Sequence, residues 1–226
     1  MRARTRMALL AAAAGAGAAA AALSQARPRL MAAGTTWDEV VRPLPGDDLV
    51  ANPLYVTTRA ITVDAPAAAV WPWLVQLGQN RGGFYTYDWL ENLFRLEIHS
   101  AGEIRPEWQD PKQGEDFITL DPDGVMKMTF ALVHPGRAFV LRSGAPGEPP
   151  QEPGSFFKGE IEITWAFVLE PEGPGRTRLL TRTRAAWGDN TRARLARGLL
   201  LNPAHLVMER GMLRGIRQRA EGAAAG

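Results

Sequence analysis

Two consecutive stretches of strict alternation constrain this chain more than anything else in it. From Phe157 to Leu169 the odd positions include Phe157, Ile161, Ile163, Trp165, Phe167 and Leu169, while Lys158, Glu160, Glu162 and Thr164 take even ones. A period of two over that length is a β-strand with one apolar and one wet face. Arg176 to Trp187 repeats the pattern, with Arg176, Arg178, Arg182 and Arg184 pointing outward. Its inward side carries Thr177, Leu179, Thr181 and Thr183. Three inward threonines predict a lining that is not fully dry.

The rest of the chain supplies what such strands pack against. Tyr55 to Asp64 reads as a strand with Thr57, Arg59, Ile61 and Val63 on one face. Pro66 opens a helix predicted from Ala67 to Gly78, and Pro72 inside it removes a donor and should kink or shorten it. A turn at Gly78–Gly83 leads to a second short helix, where Asp88 and Glu91 have capping-box spacing. From Glu115 the chain reads as strands. Met126, Met128, Phe130 and Leu132 share one face, and Ala138 to Ser143 forms another short run. Asn202 and Pro203 then start a helix expected to reach about Ala220. On it Leu206, Met208, Met212, Leu213, Ile216 and Ala220 fan over an apolar arc, opposite Arg210, Arg214, Arg217 and Gln218. His205 and Glu209 fall in the middle of the apolar arc, one turn apart. Strands followed by a long helix, without βαβ alternation, make an α+β fold. The natural packing is a curved antiparallel sheet around the C-terminal helix, with two short helices after the first strand.

Three units follow: 1–30, a leader; 31–54, an arm whose Pro43, Pro45, Gly46 and Asp47–Asp48 argue against regular structure; and 55–222, the domain. In the leader, Arg2, Arg4 and Arg6 precede an apolar run to Leu23 and a small-residue exit at Ser24–Ala26. That pattern predicts an export signal or a membrane anchor through residues 7–26, which would place the domain outside the cytoplasm. The alanine-rich run is weakly hydrophobic, so the alternative is a tail without a membrane role in a cytoplasmic protein.

Charge is divided unevenly. Residues 31–175 carry 10 Lys/Arg against 21 Asp/Glu, and residues 176–226 carry 11 Arg against three acids. Oppositely charged surfaces that lie together account for this. Nucleic-acid binding would need exposed aromatics among those arginines, and Arg176 to Arg219 holds only Trp187. No cysteine is present, which removes disulfides and thiolate chemistry. His99, His134 and His205 are scattered, so no metal site and no cofactor is expected. GQNRGG at 78–83 follows a helix and lacks phosphate-loop spacing.

Trp71 to Asn92 packs three of the seven tryptophans and two of the three tyrosines around that glycine turn. With RPLPGDDLV at 42–50, ITVDAP at 61–66 and PAHLVMERGMLRGI at 203–216, this aromatic segment resembles the SRPBCC superfamily of START-like helix-grip proteins. More narrowly, it resembles the bacterial polyketide cyclase/dehydrase-like subgroup over about Trp37 to Ala220. The resemblance implies a cavity between sheet and helix for an apolar or amphipathic small molecule, with no particular reaction.

The expected lining comprises Trp73, Arg81, Phe84, Tyr85, Tyr87 and Trp89 from the aromatic segment. Met128, Phe130, Trp165, Thr181 and Thr183 would join it from the strands, and Met208 and Met212 from the last helix. Three functions remain open. The leading one is non-covalent binding of a lipid-like or aromatic ligand. The second is a cofactor-independent cyclase, aromatase or dehydratase using His205 and Glu209 as an acid–base pair. The third is a tethered interaction module without ligand. The structural alternative for His205 and Glu209 is a pair satisfied by each other or by the inward threonines.

Overall fold

A computed structural model describes residues 31–78, 81–86, 99–119, 127–143, 161–187 and 202–225. Among them six strands make one sheet: β1 (Tyr55–Val63), β2 (Asp116–Thr119), β3 (Lys127–His134), β4 (Ala138–Ser143), β5 (Ile161–Pro171) and β6 (Thr177–Trp187). Their order is β1-β6-β5-β4-β3-β2, antiparallel throughout. Strands β2 to β6 therefore form a meander, and β1 is added beside the last of them. Among the described residues the sheet is accompanied by helices α1 (Trp37–Val41), α2 (Ala67–Val75) and α3 (Asn202–Ala225). This is the expected α+β, helix-on-sheet architecture.

Alternation decides which side chains α3 covers. Val63, Leu169, Leu179, Phe167 and Phe139 face it, and from α3 Met212, Leu213, Ile216 and Ala220 complete the same buried cluster. Each large apolar side chain removed from water there contributes roughly 1.5–3 kcal/mol. Helix α2 closes one end by packing on α3, with Val70, Trp73 and Leu74 buried. It stops at Val75 rather than Gly78, in keeping with the missing donor of Pro72. Helix α3 runs one turn beyond the expected Ala220, to Ala225. The second short helix, with Asp88 and Glu91, lies outside the described residues, as does the leader 1–30. No helix among the described residues is long and apolar enough to cross a membrane.

Two expectations fail, and both concern the outer face of the sheet. The first is the wet face. Thr164, Ala166 and Val168 of β5 and Arg182 of β6 are buried, because residues 36–50 lie over them. Leu44 joins Ala60, Ala138, Val168 and Leu180 in a second small core under this covering. Alternation of polar and apolar residues cannot tell water from a polar covering layer. The second is the irregular arm. It contains α1 and a 3-10 turn over Asp47–Leu49. Thr36 and Glu39 form a full capping box, in which Glu39 N–H donates to the Thr36 hydroxyl and Thr36 N–H to the Glu39 carboxylate. Pro43 then ends what the box begins. Gly46 sits at φ 83 against Val140 of β4, where a Cβ would strike the valine side chain.

Strand β3 brings a further correction. A bulge between Phe130 and Leu132 breaks its pairing with β4. Met128 and Phe130 face the main core, but Leu132 pairs with outward-facing Val140 while Val133 packs inward. The single face predicted for Met126 to Leu132 ends at the bulge.

Candidate functional site

The inner face of the sheet changes character along its strands. At one end the rung Ile61–Leu179–Leu169 is apolar. The next rung sets Arg59 opposite Thr181 and Phe167, and the one after it sets Thr57 opposite Thr183 and Trp165. Tyr55, Ala185 and Ile163 form the outermost of these rungs. Burial follows the same gradient. Leu179 and Phe167 are almost wholly enclosed, whereas Ile163, Trp165 and Tyr55 are only half-buried.

Helix α3 brings His205 and Glu209 over the polar rungs. Glu209 is 2% exposed and Arg59 opposite it 2%, and the two form an ion pair. Glu209 Oε1 also accepts from the Thr181 hydroxyl at 2.7 Å and from Trp165 Nε1 at 3.2 Å. Arg59 Nη1 donates to the Thr57 hydroxyl at 3.3 Å. Burying two ions costs several kcal/mol each, and only mutual attraction with extra hydrogen bonds offsets it. Here those extra bonds come from threonines of β1 and β6 and from an indole of β5. Desolvation lowers the Arg59 pKa from its ordinary value, and its hydrogen bond with Tyr55 acts in the opposite direction. A guanidinium nevertheless stays charged at any physiological pH.

His205 joins through Tyr55, whose hydroxyl lies 3.2 Å from Nδ1. Its ring also meets Trp165 edge-on, with centroids 6.4 Å apart. Burial first, and the Arg59 charge second, lower its pKa from 6.5 to about 3, although the side chain keeps 30% exposure. The imidazole is therefore neutral near pH 7. Tyr55 is hydrogen-bonded to Arg59, a pure donor. The hydroxyl accepts there and can meet Nδ1 as donor or as acceptor, according to the ring tautomer. Nε2 is 3.9 Å from Glu209 Oε2, an electrostatic contact beyond hydrogen-bond length.

Two donors on this inner face are left over. Among the described residues, the Nε of Arg59 and the hydroxyl of Thr183 are buried with no hydrogen-bond partner. Thr183 is 7% exposed and sits on the rung beside Arg59, between Thr57 and Trp165. A file of rings leads up to them from the core. Phe139 stacks on Phe167 at 4.7 Å, and Trp165 leans on Phe167 at 4.8 Å.

The structure thus brings together Trp165, Thr181, Thr183, His205 and Glu209. It places Trp73, Phe84, Tyr85, Met128, Phe130 and Met212 in the packed core cluster, and Met208 half-buried on α3. Arg81 donates to the carbonyls of Val75 and Trp108, tying the glycine turn to α2 and to the 3-10 turn Pro106–Trp108. Tyr87 and Trp89 lie outside the described residues.

Sequence reasoning passed over three residues. Arg59 and Tyr55 hold the centre of the cluster, and the available signal was a lone arginine between Thr57 and Ile61 on an inward strand face. Gln76 is the third. Fully buried, it donates to the Tyr85 hydroxyl at 2.9 Å and to Glu103 O, and accepts from Arg105 N–H. Burial pushes Tyr85 up to about 12, so its phenol stays protonated and fixed. Gly215 of α3 lies against the Tyr85 carbonyl, leaving no room for a Cβ. The aromatic segment is held to the helix by that backbone contact and by Arg219, 4.2 Å above the Tyr85 ring.

No family model matches the chain, and no curated protein matches it. Among solved structures it is similar to a protein of Mesorhizobium loti, at 15% identity over 74% of this chain and 98% of that one, with a TM-score of 0.42. It is similar also to a hypothetical protein from Helicobacter pylori, at 13% identity over 82% and 98%, with a TM-score of 0.46. A third is a conserved protein from Geobacillus kaustophilus, at 14% identity over 75% and 97%, with a TM-score of 0.43.

Proposed function

We propose that this chain is a helix-grip protein of the SRPBCC type. In this reading it holds an apolar or amphipathic small molecule, without covalent chemistry, between the sheet and the N-terminal half of α3. The observation that carries the reading is the pair of orphan donors, Arg59 Nε and the Thr183 hydroxyl, beside Glu209 Oε2, which has the Arg59 ion pair but no hydrogen bond. Native interiors rarely bury a donor without an acceptor, because the lost hydration goes unreplaced. Here the orphans adjoin Ile163, Trp165, Tyr55 and His205, which are all half-buried. Half-open apolar walls with a few convergent polar groups are the usual composition of a small-molecule site.

The arrangement supports binding over acid–base catalysis. Both Glu209 oxygens are engaged by Arg59, Thr181 and Trp165. Neutral His205, with its pKa far below 7, is a weak base for general catalysis. Native mass spectrometry of the gently purified protein tests the reading. A mass above the 24.6 kDa of the chain, lost on denaturation, is expected. Replacing Ala185, between Tyr55 and Ile163, by Trp should abolish that extra mass while the protein stays folded. Bare chain mass throughout, with no uptake from an offered set of apolar compounds, would refute it.

A further inference from the structure

The same cluster points to the kind of head group that is held, an inference that rests on the binding function just proposed. We propose that the ligand presents an uncharged acceptor oxygen, such as a ketone, aldehyde or ester carbonyl, to Arg59 and Thr183, and that carboxylates and phosphates are excluded.

Inward positions of β1 are Tyr55, Thr57, Arg59, Ile61 and Val63, and those of β6 are Thr177, Leu179, Thr181, Thr183 and Ala185. From β5 and β4 come Ile163, Trp165, Phe167, Leu169, Phe139 and Leu141. Arg59 is the sole cation among these described inward positions, and Glu209 of α3 already pairs with it. Arg210 follows on α3, exposed to water, though its charge is close enough to act on Arg59. The other arginines of β6, Arg178, Arg182 and Arg184, are on the opposite face, engaged with the arm. His205 adds no charge near pH 7. The described inward positions together with Glu209 therefore hold one buried cation paired with one buried anion, and are rich in donors.

An anionic head entering here would lose its hydration and find the one buried counter-ion among the described inward positions engaged. It would also approach the Glu209 carboxylate in a medium where repulsion between like charges is strong. A carbonyl oxygen meets neither difficulty. It has two lone pairs, matching the Nε–H of Arg59 and the hydroxyl of Thr183, which lie on neighbouring rungs. Selectivity of this kind comes as much from the penalty on the wrong ligand as from attraction to the right one.

Matched probes test it. Acetylnaphthalene and naphthoate share one aromatic skeleton and differ mainly in the charge of the head. An alkyl pair, undecanone and decanoate, repeats the comparison on a flexible chain. By calorimetry at pH 7.5 the ketone of the better-bound pair should bind at least about tenfold tighter than its carboxylate. Thr183→Val should weaken ketone binding several-fold. Glu209→Gln leaves Arg59 unneutralised and should reverse the order in favour of the carboxylate. If that variant does not fold, the wild-type ratio and the Thr183 variant decide alone. Equal or tighter carboxylate binding by the wild type overturns the head-group assignment and leaves the binding function standing, as does ketone affinity unchanged by Thr183→Val. If none of the four probes binds, the molecule retained in purification decides: a released carboxylic or phosphoric acid overturns the assignment, and a neutral carbonyl compound upholds it. No probe bound and nothing retained overturns both proposals together.

Discussion

Each face of this sheet buries an arginine, and the two are treated differently. Arg182 on the outer face is 3% exposed, and its five N–H groups all find acceptors: Thr58, Asp47 and the carbonyls of Glu39, Val40 and Arg42. Arg59 on the inner face is 2% exposed and leaves its Nε–H unused. The difference lies in what covers each face. The arm brings backbone carbonyls and acids that meet every N–H of Arg182, although its own Arg42 keeps a buried Nε without a partner. Helix α3 brings side chains alone, since its carbonyls are engaged along its own axis. A helix laid over a sheet can therefore leave donors for a third party. A strap of irregular chain, with its free carbonyls, need not.

Removing the outer arginine should have the largest effect. Arg182→Met takes from Asp47 the nearer of its two counter-ions, leaving Arg184 at 3.7 Å, strands three carbonyls, and should cost about 3–5 kcal/mol by urea denaturation. Ligand retention at the remaining folded fraction should not change. A loss under about 1 kcal/mol would mean that the arm does not depend on this latch. Next comes the seat of α3. Gly215→Ala drives a methyl into the Tyr85 carbonyl and should cost about 1–3 kcal/mol, as overpacking does elsewhere. Unlike the arm variant, it should also disturb the inner face and reduce ligand retention.

Acid should separate the two faces. His205 has a folded pKa below its unfolded 6.5, so the unfolded chain binds the extra proton first. Its contribution to stability is whole above pH 6.5 and declines as pH falls toward the folded value near 3. Glu39 on the outer side is also lowered, chiefly by its bond from Arg178. Its contribution is intact above the ordinary 4.5 and is lost progressively as pH falls from there through the lower folded value. Stability measured between pH 6.5 and 4.5 should therefore slope downward through His205. His205→Gln should flatten that slope, whereas Glu39→Gln should leave it and remove part of the steeper fall below 4.5. An unchanged slope in the His205 variant would place the titrating group elsewhere.

How much of this was legible in the sequence differs between the two faces as well. Period-two runs in β5 and β6 and the capped C-terminal helix gave the inner layer, including His205 and Glu209 beneath it. Thr181 and Thr183 were read as inward, and both are. The outer layer was illegible for a physical reason: Arg178, Arg182 and Arg184 look the same whether they meet water or the arm. The capping box at Thr36 and Glu39 was written in the sequence, but the nearby prolines and glycine masked it. Arg59 went unread because one charge in a strand normally marks a solvent-facing position, and the acid that allows its burial lies 150 residues later in Glu209.

Thr183 should show the smallest effect on stability and the sharpest contrast. A buried hydroxyl without an acceptor loses its hydration and gains nothing in return. Exchanging it for the isosteric valine should then leave the ligand-free protein unchanged or stabilise it, by no more than about 1 kcal/mol. Thr181, one rung away, is the proper control, because its hydroxyl bonds Glu209 at 2.7 Å. Thr181→Val should cost about 1.5–3 kcal/mol, as loss of a bond to a charged group does. Urea midpoints of the two variants, measured after the ligand is stripped, make the comparison. If Thr183→Val loses as much as Thr181→Val, the hydroxyl already has a protein partner and the inner face is as closed as the outer one.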